Sequence, residues 1–135
     1  MWEAFGGETV DRMPGPDGKS TLHAEMRIGD STLMLCDENP DWGTKCPQTL
    51  DGTPVVLHLY VEDADAVFNR AVAAGCEVTQ PIHDAFWGDR YARIIDPFGH
   101  AWAICTHKED LTDEEMNKRA EIAMGQTDDT GEATE

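Results

Sequence analysis

Val55-Val56-Leu57-His58-Leu59-Tyr60-Val61 is a continuous β-branched and apolar run, the pattern of a well-buried strand. Glu62-Asp63 ends it. Asp63 or Asp65 can cap a helix that runs to Ala74, where Gly75 closes it. Within that helix Val67, Phe68, Ala71 and Val72 share a face at helical spacing. Residues 77–81 read as a strand, and residues 84–89 as a loop carrying Phe86 and Trp87. Residues 90–95 and 100–106 form a hairpin across the turn Asp96-Pro97-Phe98-Gly99. The order is strand, helix, strand, hairpin: one βαβββ unit.

The preceding half echoes it. Residues 1–5 look like the tail of a helix, with Gly6 and Gly7 suited to its C-terminal cap. A strand follows at 9–13, then the turn cluster Pro14-Gly15-Pro16-Asp17-Gly18. Residues 21–28 and 31–36 form a hairpin across Gly29-Asp30. Residues 38–53 read as loop. Ala24-Glu25-Met26-Arg27-Ile28-Gly29-Asp30 parallels Ala92-Arg93-Ile94-Ile95-Asp96-Pro97-Phe98-Gly99, since both are strands that turn tightly and return. By this template the first unit lacks its opening strand and most of its helix. Two paired units predict an α+β fold, a curved mixed sheet around a pocket.

After Lys108 the character changes. Asp110-Leu111-Thr112-Asp113-Glu114-Glu115 combines a cap signal with an acidic first turn, which predicts a helix over 111–124. Residues 125–135 are polar and acidic without apolar periodicity, and read as a disordered tail. The domain is therefore 1–124, with units at about 1–50 and 51–108 and the helix appended.

The chain has 135 residues, 10 of them Lys or Arg and 27 Asp or Glu, for a formal charge of −17. The 40% hydrophobic content is enough for one core and speaks against wholesale disorder. No basic stripe exists to neutralise phosphates, which excludes nucleic acid and anionic membranes as partners. No apolar run approaches the roughly 18–20 residues that span a bilayer, and the start does not read as a signal peptide. Cys36, Cys46, Cys76 and Cys105 form no CxxC pair, so the expectation is four reduced thiols in a soluble, cytoplasmic domain. Cys46, in a polar loop, reads as the most exposed.

His58-Leu59-Tyr60-Val61, the Ala74-Gly75 helix end, Asp96-Pro97-Phe98-Gly99-His100 and Thr106-His107-Lys108-Glu109-Asp110 resemble the vicinal oxygen chelate superfamily. That superfamily includes glyoxalase I, bleomycin-resistance proteins and extradiol dioxygenases. The Arg12-to-Gly18 turn, the His23-Ala24-Glu25 strand and the Trp87-Gly88-Asp89-Arg90 loop resemble its PhnB-like branch. The resemblance covers roughly residues 5–124. It implies a divalent ion with open positions, on which two substrate oxygens chelate and an enolate or similar anion is stabilised. It also implies a homodimer, and ligands of the His and Glu type from the first and last strands of each unit. Carried over, the opening-strand position of the second unit is His58. The last-strand position is Ala103 instead of Glu, and the first unit's falls near Leu33. The remaining ligand lies on the missing strand. A lone His does not hold a catalytic metal, which wants about three protein ligands.

Strand alternation sorts the other candidates. With His58 inward, Val56 and Tyr60 share its face, while Leu57, Leu59 and Val61 pack under helix. Ala101, Ala103 and Cys105 share the inward face and leave room for a ligand, with Trp102 and Ile104 opposite. His23 and Glu25, at i and i+2, are alternative ligands or a polar edge. Trp87 and Phe86 cover the pocket mouth or anchor their own loop. Arg90 and Arg93 take an anionic substrate or form structural salt bridges. The expected site is thus His58 for a metal, with His23, Glu25, Tyr60, Trp87, Arg93 and Ala103 for a ligand. No catalytic residue is assigned, because no nucleophile-and-base pattern, phosphate-cradling loop or HExxH occurs.

These readings predict a small-molecule-binding protein of the glyoxalase/bleomycin-resistance type. It is either a metal-assisted lyase, isomerase or dioxygenase-like enzyme with a degenerate site, or a ligand-sequestering or protein-interaction module. The chain opens inside what should be a helix, so Met1 reads as an internal start or a fragment boundary, or a dimer covers the gap.

Overall fold

In the computed structural model, which describes residues 2–131 and side chains from 3 to 125, the strands fall into two sheets. The first follows a 3-10 turn at Trp2–Phe5. It comprises β1 (Gly7–Pro14), β2 (Thr21–Ile28) and β3 (Ser31–Leu35), antiparallel and in that order. The second unit runs β4 (Val56–Tyr60), α2 (Ala64–Ala73), β5 (Glu77–Asp84), β6 (Asp89–Ile95) and β7 (Ala101–His107). Its sheet order is β4-β7-β6-β5, with β4 parallel to β7 and the other pairs antiparallel. This is the expected βαβββ unit beside a three-stranded antiparallel one, a curved α+β architecture that does not close. Between the sheets the connection expected as loop carries a 3-10 turn at Pro40–Trp42, capped by Asn39, and the short helix α1 (Pro47–Leu50). Elements this short have no apolar periodicity to announce them.

Asp63 caps α2, its side chain accepting from the Ala66 amide at 3.1 Å. Ala64, Val67 and Ala71 form the buried stripe of the helix. Val72 was expected on that stripe and is 42% exposed; one residue beyond Ala71 is about 100° further round the helix. The stripe packs with Ile94, Trp102 and Ile104 from β6 and β7, with Met26 and Ile28 from β2, and with Phe5. Leu57, Leu59 and Val61 pack against the same core, on the face alternation assigned them.

β4 is not the well-buried strand its composition predicts. His58 and Tyr60 are exposed, and Val56, Leu57 and Leu59 are half-buried. It is an edge strand, bonded to β7 on one side; Leu57 and Leu59 meet the main core, and on the other face only Val56 meets a second, smaller cluster. Cys46 is likewise half-buried and Cys36 is the exposed thiol. The Cys46 thiol donates to Glu38 Oε2 at 2.6 Å, which draws it in. α3 (Asp113–Gly131) carries helix past 124, into the segment expected to be a disordered tail; residues 132–135 lie outside the described residues. Among the described residues, no helix is long and apolar enough to cross a membrane.

The turn between β6 and β7 ties the halves together. Asp96, 3% exposed, accepts from the Phe98 and His100 amides at 2.8 and 3.0 Å through Oδ1. Its Oδ2 accepts from Trp102 Nε1 at 2.9 Å. The Trp102 ring stacks on Phe5 of the first unit, centroids 4.6 Å apart. Gly99 completes the turn at φ +93°, and a Cβ there would lie 2.9 Å from Pro47 Cβ, so a side chain is disfavoured twice over. Asp96→Ala strips Trp102 Nε1 of this acceptor and removes both turn bonds. A loss of about 3 kcal/mol in urea denaturation is expected; a loss near zero would show that Asp96 does not hold this junction.

Candidate functional site

The two faces of the second sheet differ. α2 and the first unit cover one; among the described residues no helix or second sheet covers the other, the open face, which carries a small cluster of its own. Strand register lays out the open face in rows across β4, β7, β6 and β5. One row is His58, Ala103, Arg93 and Gln80, and the next is Tyr60, Cys105, Tyr91 and His83. Ala103 and Cys105 are fully buried and form the floor with Tyr91 and Ala85, and Val56 and Trp87 pack against them. Adjacent strands lie about 4.8 Å apart, so His58 and Arg93 stand roughly 10 Å from each other across Ala103. The small Ala103 side chain leaves that interval shallow. His58 Nδ1 lies 3.9 Å from Cys105 Sγ, and burial pushes the Cys105 thiol up to about 11.

Aromatic rings line one end. Trp87 meets Tyr91 edge-on at 5.0 Å and Phe86 meets Trp87 edge-on at 5.1 Å. His83 and His58 flank Tyr91 at 5.8 and 6.2 Å. The 84–89 loop is therefore anchored by its own aromatics onto the sheet.

Asp89 is the charged centre of this end, and the sequence reading missed it. It is 4% exposed. Its Oδ2 accepts from Tyr60 Oη at 2.7 Å and Trp87 Nε1 at 3.0 Å, and its Oδ1 from His107 Nδ1 at 3.2 Å. His107 Nε2 reaches Asp110 Oδ1 at 2.7 Å. An imidazole bonded to carboxylates through both nitrogens donates twice only when it is protonated. The bonds to Asp110, then to Asp89, accordingly raise its pKa above 6.5. Donation to Asp89, with burial second, pushes the Tyr60 phenol up to about 12. Nothing local marks Asp89 in the sequence; only the register that buries the first position of β6 does so.

His58, Tyr60, Ala103, Arg93 and Trp87 come together on or beside this open face. His23 and Glu25 do not. They project from β2 opposite Met26 and Ile28, 3.6 Å from each other, in the other sheet. A cleft of about 1060 Å³ between the units reaches His58, Tyr60 and His107, and is bounded by Phe5, Ile28 and Val67. Arg90 is the structural salt bridge, paired twice with Asp65 and once with Asp84. The donors do not fit a divalent metal. His58 faces Ala103 across the β4–β7 pair. Among the described residues no three His, Cys, Asp or Glu side chains gather around a common point.

Comparison with known proteins places this geometry. The family model described as Glyoxalase/Bleomycin resistance protein/Dioxygenase superfamily matches residues 2–104. The uncharacterized protein Mb0911c of Mycobacterium bovis is 48% identical over 105 residues, 76% of this chain and 68% of that protein. The chain spans 55–68% of the length of the curated relatives it matches. The crystal structure of TioX from Micromonospora sp. ML1 superposes with a TM-score of 0.60 at 26% identity, covering 82% of this chain and 85% of that one. The fosfomycin resistance protein FosX of Listeria monocytogenes, complexed with Mn(II) and sulfate, shares the fold at 16% identity. Its TM-score is 0.58, with 88% of this chain and 82% of that one covered.

The His107 clip has a pH signature. A raised folded pKa means its stabilisation is fully present below about pH 6.5 and lost as pH climbs through the folded value. His107→Ala should therefore destabilise the protein more at about pH 6 than at about pH 9. An NMR titration should place the His107 midpoint above 6.5; a midpoint below it would contradict the double donation.

Proposed function

Since the chain belongs to the Glyoxalase/Bleomycin resistance protein/Dioxygenase superfamily, we propose that it binds a small organic molecule on the open face of its second sheet, without a metal centre. The reading joins the resistance-protein side of the family to a site whose floor is Ala103, Cys105 and Tyr91 and whose walls are His58, Tyr60, Arg93 and Trp87. The observation that carries it is the pairing of His58 with Ala103. A metal-chelating mechanism needs an acidic or imidazole donor at that position, and a methyl group supplies none. What these residues do is sort ligands by shape and polarity. Ala103 and Cys105 are packed beneath the larger side chains, so the surface a ligand meets is His58, Tyr60, Arg93 and Trp87, whose aromatic edges suit a planar body. The Asp89 bonds to Tyr60 and Trp87 hold two of the walls in fixed positions before a ligand arrives.

The proposal includes a cytoplasmic setting, consistent with the free Cys36, Cys46, Cys76 and Cys105, and a homodimer. Support for the dimer is the outer edge of β4, which no strand pairs among the described residues, flanked by exposed Val55 and Tyr60. Light scattering should return twice the chain mass; a clean monomer with a sharp melt removes the dimer from the reading.

An NMR screen of small neutral and charged aromatics tests the ligand site, alongside mass-spectrometric metal analysis of untagged protein. Hits should cluster on Tyr91, Ala103 and Cys105, and metal should stay well below one equivalent per chain and be unaffected by His58→Ala. One equivalent that His58→Ala removes would overturn the metal-free reading. Hits confined to other surfaces would overturn the open-face site.

A further inference from the structure

Carboxylates outnumber basic groups heavily in this chain, 27 to 10, so a guanidinium without an acceptor is the unusual case. Arg12 bonds Thr21 and the carbonyls of Lys19 and Ser20. Arg27 pairs with Glu8, Arg90 with Asp65 and Asp84, and Arg119 with Glu109. Arg70 donates to the Ala4 carbonyl. Arg93 has no hydrogen bond or ion pair among the described residues.

Its position makes that vacancy informative. Arg93 is half-buried in the middle of β6, registered between Ala103 on β7 and Gln80 on β5. It shares a face with Tyr91, two residues earlier, and its charge acts on the Tyr91 phenol. Tyr91 is 7% exposed, and its hydroxyl likewise has no hydrogen bond among the described residues. Two donors without acceptors thus border the same fully buried floor, Ala103 and Cys105, with His58 facing them from β4. A guanidinium presents a planar fork of N–H groups that matches a carboxylate through two parallel bonds. A phenol beside it supplies a third donor to the same acceptor.

We propose that the ligand of the open face is an anion, a carboxylate on a planar apolar body, with its charged group on Arg93 and Tyr91 and its body lying along the row toward His58. The proposal rests on the small-molecule reading above and adds the ligand's charge and orientation. The roughly 10 Å from His58 to Arg93 suits a single ring bearing one carboxylate. The net charge of −17 opposes any anion, so binding at Arg93 rests on the local guanidinium and should be tested at controlled ionic strength.

Benzoate and its neutral near-isostere benzamide separate the two claims. In NMR titrations at low salt, benzoate should shift the Ala103 and Tyr91 amides and the Arg93 Nε–H saturably, and benzamide should bind about tenfold or more weakly. Arg93→Gln should weaken benzoate by about tenfold or more and benzamide by a much smaller factor, since only benzoate loses a charge-assisted pair. Arg93→Lys, which keeps the charge without the fork, should fall between, and both variants should retain the parent's spectral dispersion. Equal binding of the two probes at this face, or an Arg93→Gln variant that binds benzoate as well as the parent, overturns the anion proposal while the small-molecule site stands. Failure of both probes to move any signal of the open face overturns the two together.

Discussion

The indole of Trp102 is held from two directions, and the rest of the fold depends on it. Its Nε1–H is bonded to the buried Asp96, and its ring lies against Phe5. The first contact fixes the β6–β7 turn; the second joins a residue near the start of the chain to the last strand of the second unit. A buried carboxylate is stable only when its oxygens have donors, and Asp96 takes two backbone amides and one indole N–H. Register between β6 and β7 follows from that turn. The order of residues on the open face follows from the register.

A second buried carboxylate, Asp89, organises the far end of the same strand. It ties β4 through Tyr60, its own loop through Trp87, and the end of β7 through His107. β6 is thus pinned at both ends by aspartates serving aromatic and imidazole donors. The stretch between them, Tyr91 to Ile95, presents Tyr91 and Arg93 to the open face and Ile94 to the core. Pinning both ends fixes which residues face which way, since a one-residue slip would exchange the two sets.

Charge is distributed with the same logic. The strongly negative chain satisfies its arginines locally, with Arg90 locked between Asp65 and Asp84 on the helix side of β6. Arg93, on the opposite side of the same strand, is registered beside Ala103 and Gln80, shares a face with Tyr91, and meets no carboxylate among the described residues. Two arginines so close in sequence have opposite fates because strand alternation sends them to different surroundings.

How much was legible in the sequence follows from which physics is local. Apolar alternation, the Asp63 cap, the turn residues and the echo between the halves are written in neighbouring residues, and they determined the strands, α2, the βαβββ order and the separation of Leu57 and Leu59 from His58 and Tyr60. That Ala103 stands where an acidic ligand is expected came from the family resemblance and not from its neighbours. Composition misjudged β4, because an apolar run does not say whether a strand lies at the centre or the edge of its sheet. Alternation put His23 and Glu25 on one face of their strand but could not say that this strand lies in the other sheet from His58. Only the tertiary structure decided that Asp89 gathers Tyr60, Trp87 and His107, that Cys46 turns inward to Glu38, and that among the described residues Arg90 is paired and Arg93 is not. Each of these is a contact between residues on different elements, and its energy depends on distances that the chain acquires only when its sheets have packed.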